Sequence, residues 1–276
     1  MSELHGLFGR PYVPLGHLID DATMRGMHEE ISRALLHLPT SYTGGSLKHM
    51  GVVAPWQLDD GCRDLMFAIR EMSRAEFEEL AQLNPEWPKD AIAELDHTDP
   101  QVTFGDETSF LLSPVQERWL ELRHGVYFPW KVVYHLLEND RWEDKHRGEG
   151  KTLEPLAEEL LPRCVEVIRA LPFQEVGRVV LFGLMPNDHA PLHRDSVPGV
   201  DLAVAQSISI DPRGEKRFYL QNQEAGPSTI VADNVYWFND MDYHGVLADP
   251  FFRYSIRVDG VFEPAFVRDL ERRMRR

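Results

Sequence analysis

A histidine and an aspartate stand two positions apart in His193-Arg194-Asp195, directly after an apolar stretch. If this segment is extended, both side chains point to the same face, because alternate residues of a strand share a face. His244 lies at the end of another segment typical of a strand. Two imidazoles and one carboxylate that leave coordination positions open suit non-haem Fe(II) and its oxygen chemistry. His193, Asp195 and His244 are therefore candidate metal ligands and catalytic residues.

The His-x-Asp pattern alone is weak evidence for a metal site, because the chain contains it twice. His97-Thr98-Asp99 stands before Pro100 at the end of a helical pattern, and we interpret it as a turn. For His193, Asp195 and His244 the alternative is a hydrogen-bonded histidine–aspartate pair with an unrelated loop histidine. Their surroundings must decide between a metal site and that pair.

A second polar set begins nine positions after His244. On a strand, Arg253, Ser255 and Arg257 share one face, and the large apolar residues between them share the other, where they can pack under helices. Two arginines pointing into a barrel are costly unless they meet an anion. A guanidinium binds a carboxylate through a two-pronged contact, and a nearby hydroxyl can donate another hydrogen bond.

Taken together, His193-Arg194-Asp195, His244 and Arg253-Tyr254-Ser255 resemble the motif of the Fe(II)/2-oxoglutarate-dependent dioxygenases. The resemblance covers about residues 175–262. The stretch from Tyr236 to Gly260 looks similar to the aspartyl/asparaginyl β-hydroxylase and proline-hydroxylase branch.

The resemblance implies a fold, a cofactor set and a reaction. Fe(II) would be held by His193, Asp195 and His244, and the far carboxylate of 2-oxoglutarate by Arg253 and Ser255. With O2, the co-substrate would be converted to succinate and CO2 while a substrate C–H bond is hydroxylated. Related halogenases lack the carboxylate ligand, so the presence of Asp195 favours hydroxylation.

Further residues are candidates for holding the substrate. Arg217 is the preferred contact, because an arginine facing the barrel would suit a substrate carboxylate. Arg257 either holds substrate or pairs with an acidic residue. Trp237 and Asn239 stand on a predicted strand that could line the barrel mouth.

The chain changes its pattern near residue 175. Before it, helical spacing dominates: Met24, Met27 and Ile31 recur with an aspartate placed to cap, and residues 73–83 begin with a capping-box pattern. After it come short strands separated by turn residues, the first over 178–185. Before it, residues 152–171 are typical of helix on both sides of Pro162, and residues 46–56 could form a strand. We predict one α+β domain, 1–276. Residues 1–174 are mainly helical and form the pocket, 175–262 form a double-stranded β-helix of the jelly-roll or cupin kind with helices on one sheet, and 263–276 form a C-terminal helix.

Composition restricts the partners. With 29 basic and 45 acidic residues, the formal charge is −16, which disfavours nucleic acid and anionic membranes. Two cysteines without a paired-thiol motif favour a reducing cytoplasm. No apolar run is long enough to span a bilayer. We therefore expect a cytoplasmic protein that acts on an amino acid, small metabolite or peptide side chain.

Two other functions remain open from the sequence. One is a non-catalytic jelly-roll binding or sensor protein that retains the metal-like residues. The other is a nucleic-acid oxidative demethylase, which the two arginines of the last strand suggest and the net charge disfavours. The sequence does not predict the oligomeric state.

Overall fold

The computed structural model describes residues 4–40, 52–53, 65–105, 110–128, 132–138, 144–196, 198–199, 203–221 and 228–275. Within these ranges the chain combines helices with antiparallel sheet, the helices lying mainly in the first 170 residues. No helix of the described part has the length and apolar character needed to cross a bilayer.

The helices of the described part are α1 (Asp21–Ala34), α2 (Leu65–Arg70), α3 (Arg74–Gln82), α4 (Lys89–Glu94), α5 (Pro114–His124), α6 (Pro155–Leu160), α7 (Pro162–Ala170) and α8 (Pro264–Met274). A short 3-10 turn covers Gly16–Leu18.

The strands are β1 (Tyr12–Pro14), β2 (Val52–Val53), β3 (Val126–Tyr127), β4 (Val132–His135), β5 (Phe173–Leu184), β6 (Ala190–His193), β7 (Gln206–Ile210), β8 (Phe218–Gln221), β9 (Thr229–Ile230), β10 (Val235–Phe238), β11 (Tyr243–Val246) and β12 (Arg253–Phe262). The larger sheet has the order β1-β10-β7-β12-β5-β4, and the smaller sheet has the order β6-β11-β8-β9. β2 pairs with β3 separately.

The two larger sheets pack their inner faces together around one apolar cluster. Val180 and Phe182 of β5 meet Phe218 and Leu220 of β8 in this cluster, and Phe238 of β10 joins them. From β5 to β12, the chain crosses repeatedly between the two sheets. The metal-site residues lie in this space between the sheets.

The outer face of the larger sheet packs against helices. Tyr254, Ile256 and Val258 of β12 join a cluster with residues of α1 and α7. This confirms the prediction that alternate residues of the last strand pack under helices. α1 begins where predicted, since the Asp20 side chain accepts hydrogen bonds from the backbone N–H groups of Ala22 and Thr23.

A second apolar cluster lies in the helical region between α2 and β3. Phe77, Trp87 and Phe104 pack there with their rings against one another. The predicted capping box at the start of α3 is present, because Ser73 and Glu76 exchange hydrogen bonds. His97 stacks on Phe77 and bonds to the Met72 carbonyl, so the rival histidine triplet belongs to this cluster.

Some element boundaries differ from the sequence prediction. The helices predicted on both sides of Pro162 are present as α6 and α7, and α7 begins at Pro162, as expected from a proline that cannot continue a preceding helix. The first long strand begins at Phe173 rather than 178. Of the strand proposed over 46–56, only Val52–Val53 lies inside the described residues. The single-domain organisation stays a prediction.

Packing of α1 on the larger sheet can be tested by one pair of substitutions. Ile31 is fully buried in the helix-facing cluster, whereas Leu36, just beyond the end of α1, is 77% exposed. Ile31→Ala should lower the free energy of unfolding by about 2–5 kcal/mol, measured by urea denaturation. Leu36→Ala should change it by less than about 0.5 kcal/mol. Equal effects of the two changes would contradict this packing.

Candidate metal centre

Two neighbouring strands bring the two histidines together. His193 ends β6 and His244 stands in β11, and the two residues are direct partners in the antiparallel register. Their ring centroids are 4.4 Å apart. Asp195 follows in the turn after β6, where the N–H groups of Asp195 and Ser196 both donate to the Asp240 carbonyl at 3.1 Å. Residues far apart in sequence therefore converge on one point.

The three side chains direct their donor atoms toward a shared space. Asp195 Oδ1 lies 3.6 Å from His193 Nε2 and 3.7 Å from His244 Nε2. One donor atom from each residue lies within 4.8 Å of the other two. A single ion can therefore contact all three residues.

Backbone carbonyls fix which nitrogen of each histidine faces that space. His193 Nδ1 donates to the Pro191 carbonyl at 2.7 Å, and His244 Nδ1 donates to the Asp242 carbonyl at 2.9 Å. Because a carbonyl only accepts, each Nδ1 carries the proton and each Nε2 has its lone pair available. This is the outer support that metal-binding histidines ordinarily have, and the donor set fits Fe(II) with open positions.

The site is apolar on one side and open on another. Phe218 and Phe238 pack against the His244 ring. The exposed fraction of the side chains rises from 5% at His244 to 14% at His193 and 28% at Asp195. Burial, together with nearby His244, lowers the pKa of His193 to about 4, so its imidazole is neutral near pH 7 and able to bind a metal.

A chain of alternating charges runs from Asp195 into the protein. Asp195 Oδ2 accepts from Arg257 Nη1 at 2.5 Å, and Arg257 Nε donates to Asp259 Oδ1 at 2.9 Å. Asp259 Oδ2 then accepts from Arg178 Nε at 2.8 Å and lies 2.7 Å from its Nη2. Asp259 and Arg178 are buried. Each charge in this series has an opposite neighbour, which buried charges require.

These contacts keep the metal-facing carboxylate ionised. Burial alone would raise the pKa of Asp195, but Arg257 and His244 hold it well below its ordinary value. Burial also acts to lower the pKa of Arg257, while Asp259 and Asp195 raise it above its ordinary value. Asp195 is therefore a carboxylate, the form that binds metal.

Arg253 faces the space between the sheets but is bonded to loop carbonyls. Its two Nη atoms donate to the backbone carbonyls of Asp188, Asp249 and Phe251, at 2.6, 3.2 and 3.1 Å. Its Nε lies 3.7 Å from Asp249 Oδ2. These bonds hold the turns that follow β5 and β11. The predicted role of Arg253 with 2-oxoglutarate stays a prediction.

Ser255 has a partner that the sequence analysis missed. Lys216 Nζ donates to Ser255 Oγ at 2.8 Å, and it lies 5.2 Å from the Phe218 ring centroid. The signal was present in the sequence, because Phe218 and Leu220 are interior residues and period-two alternation continues their face back to Lys216.

The same alternation corrects the prediction for Arg217. Its side chain is 50% exposed and pairs with Asp249 at 2.7 Å, so the expectation of a barrel-facing arginine there is wrong. The interior cation is its neighbour Lys216.

Two more residues predicted to contact substrate make contacts within the protein, and a substrate role for Asn239 stays a prediction. Trp237 lies in the helix-facing cluster on the outer face of β10, and its Nε1 donates to the Ala205 carbonyl. Asn239 Nδ2 donates to the Gly6 carbonyl, which fixes the N-terminal segment. The position of Trp237 contradicts a place at the barrel mouth. Arg257 pairs with acidic residues, one of the two alternatives considered for it.

The chain is similar to solved structures of 2OG-Fe(II) oxygenases. The 2OG-Fe(II) oxygenase family oxidoreductase from Burkholderia pseudomallei is 16% identical, with a TM-score of 0.31, over 46% of this chain and 66% of that one. A Pseudomonas putida prolyl-4-hydroxylase is 12% identical, with a TM-score of 0.27, over 46% and 69%. AviO1 from Streptomyces viridochromogenes Tue57 is 18% identical, with a TM-score of 0.28, over 44% and 66%.

These similarities are distant. The chain spans about two thirds of the length of these three structures. No family model and no curated protein matches the chain. The geometry of the metal centre therefore carries the functional assignment.

The charge series predicts a role for Arg257 in metal affinity. Arg257→Lys keeps one positive charge but replaces the two nitrogens that bond Asp195 and Asp259 separately with a single nitrogen. Changing a group that orients a metal ligand commonly lowers metal affinity about 10–100-fold. The affinity for Mn(II), measured by calorimetry, should therefore fall by about this factor. Arg217→Lys, the same change at the surface, should leave affinity within about twofold. Equal affinities in the two variants would contradict the role of Arg257.

The half-buried side chain of Lys216 predicts a pH-dependent stability. Burial lowers the pKa of Lys216 from 10.5 to about 8, assisted by Arg257 and Arg253 and opposed by Asp211 and Asp195. Between these two values the unfolded chain binds a proton that the folded chain does not, so the contribution of this residue to stability rises with pH.

Replacing Lys216 with Met should therefore stabilise the protein most near pH 7, by on the order of 2 kcal/mol. The advantage over the wild type should shrink as pH rises from 8 to 10.5. Urea denaturation at several pH values measures this difference, with Arg217→Met as the control that shows no such trend. A Lys216→Met difference that stays constant with pH would refute the prediction.

Proposed function

We propose that the protein is an Fe(II)- and 2-oxoglutarate-dependent oxygenase that hydroxylates a C–H bond. The observation that carries the proposal is the convergence of His193 Nε2, His244 Nε2 and Asp195 Oδ1, each with its other polar atom already bonded. Fe(II) bound there with the 2-oxo acid would supply O2 activation coupled to release of succinate and CO2. Asp195 as a ligand favours hydroxylation.

The protein residues have separate roles in this proposal. His193, Asp195 and His244 hold the metal, and Arg257 keeps Asp195 ionised and oriented. Arg257 Nη2 is buried and has no hydrogen-bond partner within the described ranges, which supports a carboxylate-bearing ligand beside Asp195. Phe218 and Phe238 exclude water from one side of His244.

The strand order supports a jelly-roll core for this oxygenase. The strands β5, β7, β10 and β12 lie in one sheet, and β6, β8, β9 and β11 lie in the other. This exchange between two facing antiparallel sheets is the pattern of a double-stranded β-helix. In this architecture the ends of β6 and β11 bring the ligands together.

The substrate is proposed to be an amino acid, a small metabolite or a peptide side chain. The formal charge of −16 disfavours a nucleic-acid substrate, because phosphate backbones are repelled. A cytoplasmic location, and membership of the aspartyl/asparaginyl β-hydroxylase or proline-hydroxylase branch, stay predictions.

The two histidine triplets provide a matched test of the metal assignment. Asp195→Ala should lower the rate of Fe(II)-dependent conversion of 2-oxoglutarate to succinate by about 100-fold or more, because a metal ligand is lost. Asp99→Ala, in the rival triplet, should leave turnover unchanged, since Asp99 Oδ1 accepts only from the Gln101 backbone N–H at an exposed turn. Succinate release is measured with screening for amino-acid and peptide substrates. Turnover that survives Asp195→Ala would remove the metal assignment.

A further inference from the structure

Lys216 places a positive charge between the sheets without a neutralising carboxylate in contact. Its ammonium donates to the Ser255 hydroxyl and lies near the Phe218 ring. Among the described residues, no carboxylate oxygen comes within 4 Å of Lys216 Nζ. Glu215, the neighbouring residue in sequence, pairs with Arg213, and Asp211 accepts from the backbone N–H groups of Gly214 and Lys216. An ammonium has three N–H donors, and the serine accepts one of them.

A half-buried cation of this kind, with no carboxylate in contact, favours an anionic ligand. Holding an unpaired charge away from water costs free energy, which an incoming anion offsets. Ser255 Oγ accepts from Lys216, so its own hydroxyl proton remains available for donation. A lysine and a serine that meet at 2.8 Å therefore present N–H and O–H donors together, the combination that suits a carboxylate.

The spacing between this pair and the candidate metal centre restricts the length of a ligand that can reach both. Ser255 and Arg257 stand on the same face of β12, two residues or about 7 Å apart. Arg257 contacts the metal-facing Asp195. That separation is on the scale of a five-carbon dicarboxylic acid with one end at the metal.

Arg253, the residue that the motif assigns to this task, is occupied elsewhere. Its Nη atoms bond to three carbonyls of two turns, as described above. Releasing it to a ligand would leave those half-buried carbonyls without these donors. Lys216 makes no such backbone contact through its ammonium in the described part of the chain.

We propose that Lys216 and Ser255 bind the far carboxylate of the 2-oxo dicarboxylic acid, and that Arg253 positions the turns beside the site. This inference rests on the proposed oxygenase function. It replaces the arginine of the motif with a lysine from the segment before β8.

The assignment is tested by removing the far carboxylate from the ligand and the ammonium group from Lys216. 2-Oxovalerate has the same carbon chain as 2-oxoglutarate but a methyl group in place of the far carboxylate. Each is titrated into anaerobic Fe(II)-loaded protein, and binding is followed by the weak visible charge-transfer band of the chelate. The wild type should bind 2-oxoglutarate at least about tenfold more tightly than 2-oxovalerate.

Lys216→Met should remove this preference while leaving the affinity for 2-oxovalerate within about threefold. The unchanged 2-oxovalerate affinity shows that the variant is folded and its metal centre intact. Arg217→Met, the same change one residue away, should retain the preference. Arg253→Met should retain it as well, although it should lower stability.

Two results would overturn the inference in different ways. If Lys216→Met keeps the preference for 2-oxoglutarate, Lys216 is not the carboxylate partner and the oxygenase function stands. If Arg253→Met then loses the preference, Arg253 is the partner. If the wild type binds Fe(II) but gives no band with either acid, the proposed function fails and the inference fails with it.

Discussion

The contact between Arg257 and Asp195 is the interaction on which the metal centre depends. Asp195 must be ionised to bind a metal, yet it lies where burial favours its neutral form. Arg257 resolves this conflict, but it is itself buried and needs Asp259, which in turn needs Arg178. Removing any one of these charges leaves another uncompensated inside the protein, which commonly costs about 3–5 kcal/mol. The ligand set and the stability of the sheet are therefore coupled.

One strand carries most of this coupling. The inward residues of β12 include Ser255, Arg257 and Asp259, and its outward residues pack under α1 and α7. From Tyr254 to Asp259 the side chains of β12 therefore alternate between the helix-facing core and the site. A register slip by one residue would exchange the two faces, placing charges in the apolar core and apolar side chains at the metal centre. The helices thus fix the register that positions the charge series.

The features that follow from local periodicity were predictable, and those that depend on long-range contacts were not. His193, Asp195 and the alternation of β12 follow from a two-residue period, and the structure brings His244 to them. Arg217 was assigned to the interior because its charge would suit a substrate carboxylate, whereas alternation from the interior residue Phe218 places it on the outer face. The contacts of Arg253 with carbonyls of distant turns leave no local pattern in the sequence.

The charges around the site also constrain how it can be filled. Arg178 and Arg257 are opposed by the carboxylates of Asp195 and Asp259, so this series is formally neutral, and Lys216 adds a positive charge that no carboxylate of the described residues contacts. A divalent cation alone would add two positive charges to a buried region, and a dianionic acid alone would add two negative charges. Bound together they leave the balance unchanged, which lowers the desolvation cost of each. The arrangement therefore favours joint occupation by metal and 2-oxo dicarboxylic acid, with Asp195 at one end of the ligand and Lys216 at the other.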